Sequence, residues 1–103
     1  MKKKLINIFK KAEGKQFTYI SLISSKGIQM HSCIEKLIID GISDGSIFLR
    51  DEVVNWDENV VLPLLNIAEI IKRKKKNFDI DIAEAEYDIT YFDGSELLIQ
   101  ICN

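Results

Sequence analysis

The sequence predicts an α+β domain built of three helices, a short β-hairpin, one extra helix and a C-terminal β-hairpin. Three observations predict it. Apolar residues recur at helical spacing in four segments, Asp-Gly pairs break the chain around a short strand-like run, and the last quarter alternates apolar and polar residues with a period of two. The chain has 103 residues, of which 47% are apolar, and a net charge of −2. It can therefore bury one modest core and is not expected to be disordered.

The first helix is predicted from four apolar residues at positions i, i+3, i+4 and i+7, namely Leu5, Ile8, Phe9 and Ala12. Gly14 is expected to end it. A second, short helix is expected to begin at Thr18, a good N-cap residue, and to end at Gly27.

The third helix is predicted from residues that share one helical face: Met30, Cys33, Ile34, Leu37, Ile38 and Gly41. The pairs at 40–41 and 44–45 then turn the chain into a strand at residues 46–50, and a second strand is expected at residues 53–56. Three helices followed by a hairpin, in this order, are typical of a winged helix-turn-helix. We place this region at residues 1–61.

Residues 62–103 are assigned to an extension that forms one compact domain with the first region. After Pro63 a helix is predicted from Leu64, Ile67, Ala68 and Ile71, with Leu65 and Ile70 widening its apolar face. A three-residue loop at residues 93–95 would pair Tyr91 with Leu97, Ile89 with Ile99 and Tyr87 with Ile101. This register puts all six apolar side chains on one face of the C-terminal hairpin.

Few residues suggest catalysis or cofactor binding. His31 is the one histidine, and Cys33 lies two residues on, where it would not face His31 on a helix. One histidine and two distant cysteines do not make a zinc site, and no glycine-rich phosphate loop is present. The alternating acids Asp79, Asp81, Glu84, Glu86 and Asp88 lack the spacing of a calcium loop and suit the wet face of a sheet. We therefore expect no catalytic residue, no metal, no cofactor and no small-molecule substrate.

Charge is unevenly placed along the chain. Residues 1–50 hold nine Lys or Arg against four Asp or Glu, whereas residues 51–103 hold five against twelve. The basic run at residues 72–76 is expected to be solvated at a helix end. The basic start at residues 1–4 is followed by an interrupted stretch that is not a signal peptide. With no apolar run near 20 residues and only two cysteines, a reduced cytoplasmic protein without membrane contact is expected.

One run of residues resembles a known family. Residues 33–47 read Cys-Ile-Glu-Lys-Leu-Ile-Ile-Asp-Gly-Ile-Ser-Asp-Gly-Ser-Ile, which resembles the winged-helix end of PCI domains in proteasome-lid and signalosome-type subunits. That family has a helix ending in an apolar-apolar-x-Asp-Gly segment and an Asp-Gly turn into the first wing strand. The resemblance covers residues 17–56 and implies a protein-assembly module. The chain departs from the family in lacking the long upstream helical repeat and in adding the segments after Pro63.

The leading hypothesis is a non-catalytic winged-helix module that binds another protein or a second copy of itself. An isoleucine at position 39 of the third helix would be exposed, which suits an apolar contact better than a polyanion. The residues expected at the interface are Ile39, Glu35, Lys36, Leu65 and Ile70.

The alternative hypothesis is a winged-helix transcriptional regulator that binds DNA and dimerises through a helix at residues 63–76. The expected DNA contacts are Lys26, Gln29, His31, Ser32, Lys36 and Arg50. Glu35 and Asp40 on the same face would be repelled by phosphate, and the pI of about 5.4 argues against a DNA-attracting field.

Overall fold

The computed structural model describes residues 1–15, 17–53, 59–73 and 83–102. These residues form one helix and eight strands, so the predicted winged helix-turn-helix is wrong. The elements in chain order are α1 (Lys2–Ala12), β1 (Phe17–Ile23), β2 (Gln29–Ile34), β3 (Leu37–Ile42), β4 (Ser46–Asp51), β5 (Val60–Pro63), β6 (Ile67–Lys72), β7 (Ala83–Tyr91) and β8 (Glu96–Cys102).

The strands form two antiparallel sheets. A five-stranded sheet has the order β2-β1-β8-β7-β6, and a three-stranded sheet has the order β3-β4-β5. The chain leaves the larger sheet after β2 and returns to it after β5. Because β8 pairs with both β1 and β7, the two ends of the chain lie in the same sheet. The division into residues 1–61 and 62–103 stays a prediction.

The core lies between the inner faces of the two sheets and α1. The predicted apolar stripe of α1 is confirmed, since Leu5, Phe9 and Ala12 are fully buried and Ile8 is nearly so. The side chains that face it from the sheets include Ile20, Leu37, Ile47, Leu49, Leu62, Leu64, Ile89 and Ile99. Burial of this set is the main source of stability for a domain of this size.

The predicted second and third helices are strands. The third helix was predicted because a bend between β2 and β3 gives their inward residues a helical spacing. Met30 and Ile34 lie at even positions of β2 and face inward, but Leu37 faces inward from an odd position of β3. The chain changes its phase at residues 35–36, where it passes from one sheet to the other. Inward residues at i, i+4 and i+7 therefore arise from two strands of period two rather than from one helix.

A β-bulge also imitates helical spacing after Pro63, where a helix is predicted and β6 is found. The pairing with β7 shifts between Ile67 and Glu69, so the inward residues Ile67 and Ile70 stand three positions apart. The basic run at residues 72–76 lies outside the described residues apart from Lys72 and Arg73.

The resemblance to PCI domains is also wrong. Residues 33–47 span the end of β2, the whole of β3, a turn and the start of β4, so neither a recognition helix nor a wing is present there. The predicted strand at residues 46–50 is confirmed as part of β4, while residues 54–56 of the next predicted strand lie outside the described residues.

The C-terminal hairpin is present with a different register. β7 and β8 pair Ile89 with Leu97 and Tyr87 with Ile99, and the Tyr91 N–H donates to the Ser95 carbonyl. The three-residue loop is therefore residues 92–94, one position earlier than predicted. The shift keeps the same side chains on the inner face of the hairpin. All six apolar residues of the predicted pairs are buried: Tyr87, Ile89, Tyr91, Leu97, Ile99 and Ile101.

Candidate functional site

Four loops meet at one end of the molecule, and we call residues 24–28, 43–45, 64–66 and 92–94 together the loop end. The backbone N–H of Leu64 donates to the Gly45 carbonyl (3.0 Å), and that of Phe92 donates to the Asn66 carbonyl (2.8 Å). A β-carbon placed on Gly94 would lie 3.8 Å from Cβ of Ser25. The four loops thus form one connected surface.

The loop end and the strand residues beside it carry five exposed apolar side chains. Ile28 is 70% exposed and Phe92 78%, Leu65 is 52% exposed, and Ile42 and Ile23 are 44% and 37% exposed. Single exposed apolar residues are ordinary on protein surfaces, but a group of them marks an interaction surface.

The β1–β2 turn presents Ile28 through its own hydrogen bonds. The Ser24 N–H donates to the Ile28 carbonyl (2.8 Å), and Oγ of Ser24 accepts from the N–H of Ile28 (3.1 Å) and of Lys26 (3.3 Å). Gly27 supplies the positive φ of 81° that the turn requires. Ile28 is therefore held outward by a closed turn.

The β7–β8 turn holds Phe92 in a similar way. Oδ1 of Asp93 accepts a hydrogen bond from the Ser95 N–H (2.8 Å), and this bond lowers the pKa of the Asp93 carboxyl. Gly94 adopts a φ of 92°, and its N–H donates to the Tyr91 carbonyl (3.0 Å). The exposed ring of Phe92 thus stands on a defined turn.

Charges of both signs accompany these apolar residues. Lys26 lies beside Ile28, and Asp93 lies beside Phe92. Asp44, on the loop between β3 and β4, forms an ion pair of 4.0 Å with Lys2, whose Nζ also donates to the Asp44 carbonyl (2.7 Å). These two contacts between Lys2 and Asp44 place the first residues of α1 next to the loop end.

The predicted interface residues are found in several places. Leu65 lies in the loop end, whereas Ile70 is 8% exposed and packs in the core. Ile39 is half-buried against the core, and its N–H donates to Oε2 of Glu13 (2.9 Å). Glu35 and Lys36 are exposed at the bend between β2 and β3, where Lys36 pairs with Glu52 at 3.0 Å.

The predicted DNA contacts do not share one surface. Lys26 lies in the loop end, Lys36 lies at the bend, and Arg50 pairs with Asp40 at 3.1 Å. The remaining three lie on β2, where Gln29 and His31 point outward and Ser32 is half-buried on the other side. No helix carries them, so the recognition-helix geometry on which their choice depended is absent from the described residues.

The outer face of the five-stranded sheet carries polar groups that the sequence analysis did not bring together. Tyr19 and His31 stack with ring centroids 5.9 Å apart, and the Tyr19 hydroxyl lies 2.5 Å from Nδ1 of His31. Across the sheet, Arg73 pairs with Glu86 (3.0 Å) and Asp88 (2.5 Å). Glu86 was among the acids predicted to face water, but it is fully buried.

Of these residues, Tyr19, His31, Arg73 and Asp88 line a shallow depression of about 590 Å³. Asp79 and Asp81 lie outside the described residues, and within the described ones no three His, Cys, Asp or Glu side chains are grouped as a metal site would need. Arg73 and Asp88 in this depression pair with one another, as is typical of a structural ion-pair network.

Both cysteines are free thiols, Cys33 exposed and Cys102 buried. β1 lies between their strands, which separates their backbones by about 10 Å, beyond the reach of a disulfide. Burial raises the pKa of the Cys102 thiol.

Among the described residues no helix has both the length and the apolar character to cross a bilayer.

No family model matches the chain, and neither the curated proteins nor the solved structures contain a match. The loop end is therefore interpreted from its own geometry.

Proposed function

We propose that this domain is a non-catalytic protein-interaction module and that it associates with a second copy of itself through the loop end. The observation that carries the proposal is the group of five exposed apolar side chains, three on loops that hydrogen bonds tie together and two, Ile23 and Ile42, on the strand ends beside them. Fixed loops lose little conformational entropy on binding, so more of the free energy of apolar burial is available for association.

The charges of the loop end support a second copy as the partner. A two-fold contact brings the same patch together with itself, so the patch must be complementary to its own charges. Lys26 and Lys2 provide positive charge, and Asp44 and Asp93 provide negative charge. A lysine of one copy can thus face an aspartate of the other around an apolar centre, and the net charge of −2 adds little repulsion between copies.

Sedimentation equilibrium over a range of loading concentrations tests the proposal. We expect the wild-type protein to associate reversibly and Phe92→Asp to raise the dimer Kd at least about tenfold, because burial of one aromatic ring contributes about 1.5–3 kcal/mol. A wild-type protein that stays monomeric at every concentration would contradict the proposal.

The matched control is Phe17→Asp. Phe17 is 40% exposed and begins β1 at the end opposite to the turn that carries Ile28, so it lies away from the loop end. Its substitution makes the same chemical change and should leave the dimer Kd within about twofold. Thermal unfolding of both variants shows whether each remains folded, and equal weakening by the two would count against the loop end.

An intracellular, reducing location is part of this proposal. It is supported by the exposed free thiol of Cys33, because exposed unpaired thiols are typical of proteins kept in reducing compartments.

A further inference from the structure

The outward face of α1 is a lysine stripe, which we define as Lys3, Lys4, Lys10 and Lys11. All four are exposed, while the opposite face of α1 is buried in the core. At 100° per residue the four side chains fall within an arc of about 120°. None of them forms an ion pair with a carboxylate in the part of the chain that the structure describes.

Residues 1–15 are one of two concentrations of positive charge in the sequence, the other being the run at residues 72–76. Residues 1–15 hold six lysines and one glutamate, whereas the remaining residues hold eight Lys or Arg and fifteen Asp or Glu. α1 has no acidic residue in its first turn, where Lys3 and Lys4 oppose the helix dipole, whereas Lys10 and Lys11 in the last turn complement it. Helix stability therefore does not account for Lys3 and Lys4, and a polyanionic ligand would account for the whole stripe.

We propose that the lysine stripe binds the phosphate backbone of duplex DNA without reading its sequence. The stripe consists of two lysine pairs, Lys3 with Lys4 and Lys10 with Lys11, seven residues apart. This spacing is about 10.5 Å along the helix axis, close to the roughly 12 Å width of the major groove. Each pair can therefore contact phosphates on one side of the groove.

An anionic membrane fits the stripe less well. The apolar side chains of α1 are all turned inward, with Leu5 and Phe9 fully buried, so the helix has no apolar face to insert into a bilayer. A membrane plane would also approach the exposed carboxylates of Glu13 and Asp44 on either end of the helix. A duplex is narrow enough to contact the stripe alone.

The test is fluorescence anisotropy of a labelled 20-bp duplex of random sequence, titrated with the full chain at several salt concentrations. We expect binding at 50 mM KCl, with log K falling against log[salt] with a slope of about −3 to −4, as four phosphate contacts require. In Lys3→Gln/Lys10→Gln/Lys11→Gln the affinity should fall at least about tenfold and the slope should approach about −1.

The control variant is Lys36→Gln/Lys72→Gln, which removes two charges from exposed lysines outside both the lysine stripe and the loop end and should change the affinity less than about threefold. Circular dichroism confirms that α1 remains folded in both variants. The proposal is overturned if the duplex does not bind at 50 mM KCl, or if the two variants lose affinity equally. It is also overturned if vesicles of 30% phosphatidylserine bind through α1 while the duplex does not.

Discussion

Asp51 holds the bend at which the chain passes between the two sheets. Its carboxylate accepts hydrogen bonds from the N–H groups of Glu35 (2.9 Å), Lys36 (3.2 Å) and Val53 (3.0 Å). Residues 35 and 36 lie where the hydrogen-bond ladder of β2 ends and that of β3 begins. A charged acceptor at this point satisfies amides that neither ladder serves, and it stabilises the bend.

Replacing Asp51 by Ala should therefore lower the free energy of unfolding by about 2 kcal/mol, since hydrogen bonds to a charged group contribute about 1.5–3 kcal/mol. Asp51→Asn keeps one acceptor oxygen and should lose less. The measurement is urea unfolding followed by circular dichroism. The control is Glu52→Ala, which removes only an exposed ion pair with Lys36 and should cost less than about 1 kcal/mol. Equal losses in the two alanine variants would contradict this role of Asp51.

Tyr91 joins the two sheets through its hydroxyl, which donates to the Pro63 carbonyl at 2.7 Å. The side chain is buried, and burial, together with the charge of Asp93, raises the pKa of the phenol above its usual value of 10.0. The unfolded chain therefore loses this proton at a lower pH than the folded protein does. The contribution of Tyr91 to stability is complete below pH 10 and decreases as the pH rises further.

Tyr91→Phe should lower the free energy of unfolding by about 1 kcal/mol at pH 7, because it removes one buried hydrogen bond. The variant carries no proton at this position, so the difference from the wild-type protein should shrink above pH 10. Urea unfolding at pH 7, 9 and 10.5 measures this difference. A difference that stays constant or grows over this range would show that the Tyr91 phenol is not protected by burial.

At the scale of single elements, the periodic pattern predicted α1 and the faces of the last hairpin correctly. In α1 the apolar stripe runs without interruption from Leu5 to Ala12. In the hairpin, a loop shifted by one position at both ends keeps the same residues inward, so Tyr87 and Ile99 are buried in either register. α1 is regular, and the hairpin is regular from Tyr87 onward, its one register shift lying between Ala83 and Ala85; regular stretches show their period in the sequence.

The bend between β2 and β3 and the bulge in the pairing of β6 with β7 concealed the period of two in these strands. The bend at residues 35–36 and the bulge at Ile67 each add or remove one position, which converts a period of two into spacings of three and four. The pairing of β3 with β4 also shifts between Ile39 and Gly41. Sequence spacing alone cannot distinguish a bent or bulged strand from a helix when the strand is this short.

The loop end was not predictable for a different reason. Its apolar residues come from three separate loops and from the ends of β1 and β3 beside them, and Ile23 and Phe92 are far apart in the sequence. Each is a single exposed apolar residue within its own segment, which is unremarkable until the topology brings the loops together. Of these residues only Leu65 was predicted at an interface, because it widens the apolar face of a predicted helix that does not form.

At the scale of the whole molecule, the fold separates two kinds of surface. The loop end contains exposed apolar side chains, and the lysine stripe of α1 contains positive charge. Outside residues 1–15, the chain has more acidic than basic residues. The contact between Lys2 and Asp44 places the start of α1 beside the loop end. The proposed self-association and the proposed DNA binding would therefore use neighbouring but different residues, and variants can test them separately.

Two copies of the protein are proposed to meet through the loop end. Isotope-filtered NOE spectroscopy on a mixture of ¹³C-labelled and unlabelled protein tests it most directly, because only contacts between copies give signals. We predict intermolecular NOEs from the ring of Phe92 to the methyl groups of Ile28 or Leu65. Intermolecular NOEs that involve other surfaces, or none at concentrations where the protein sediments as a dimer, would contradict the claim.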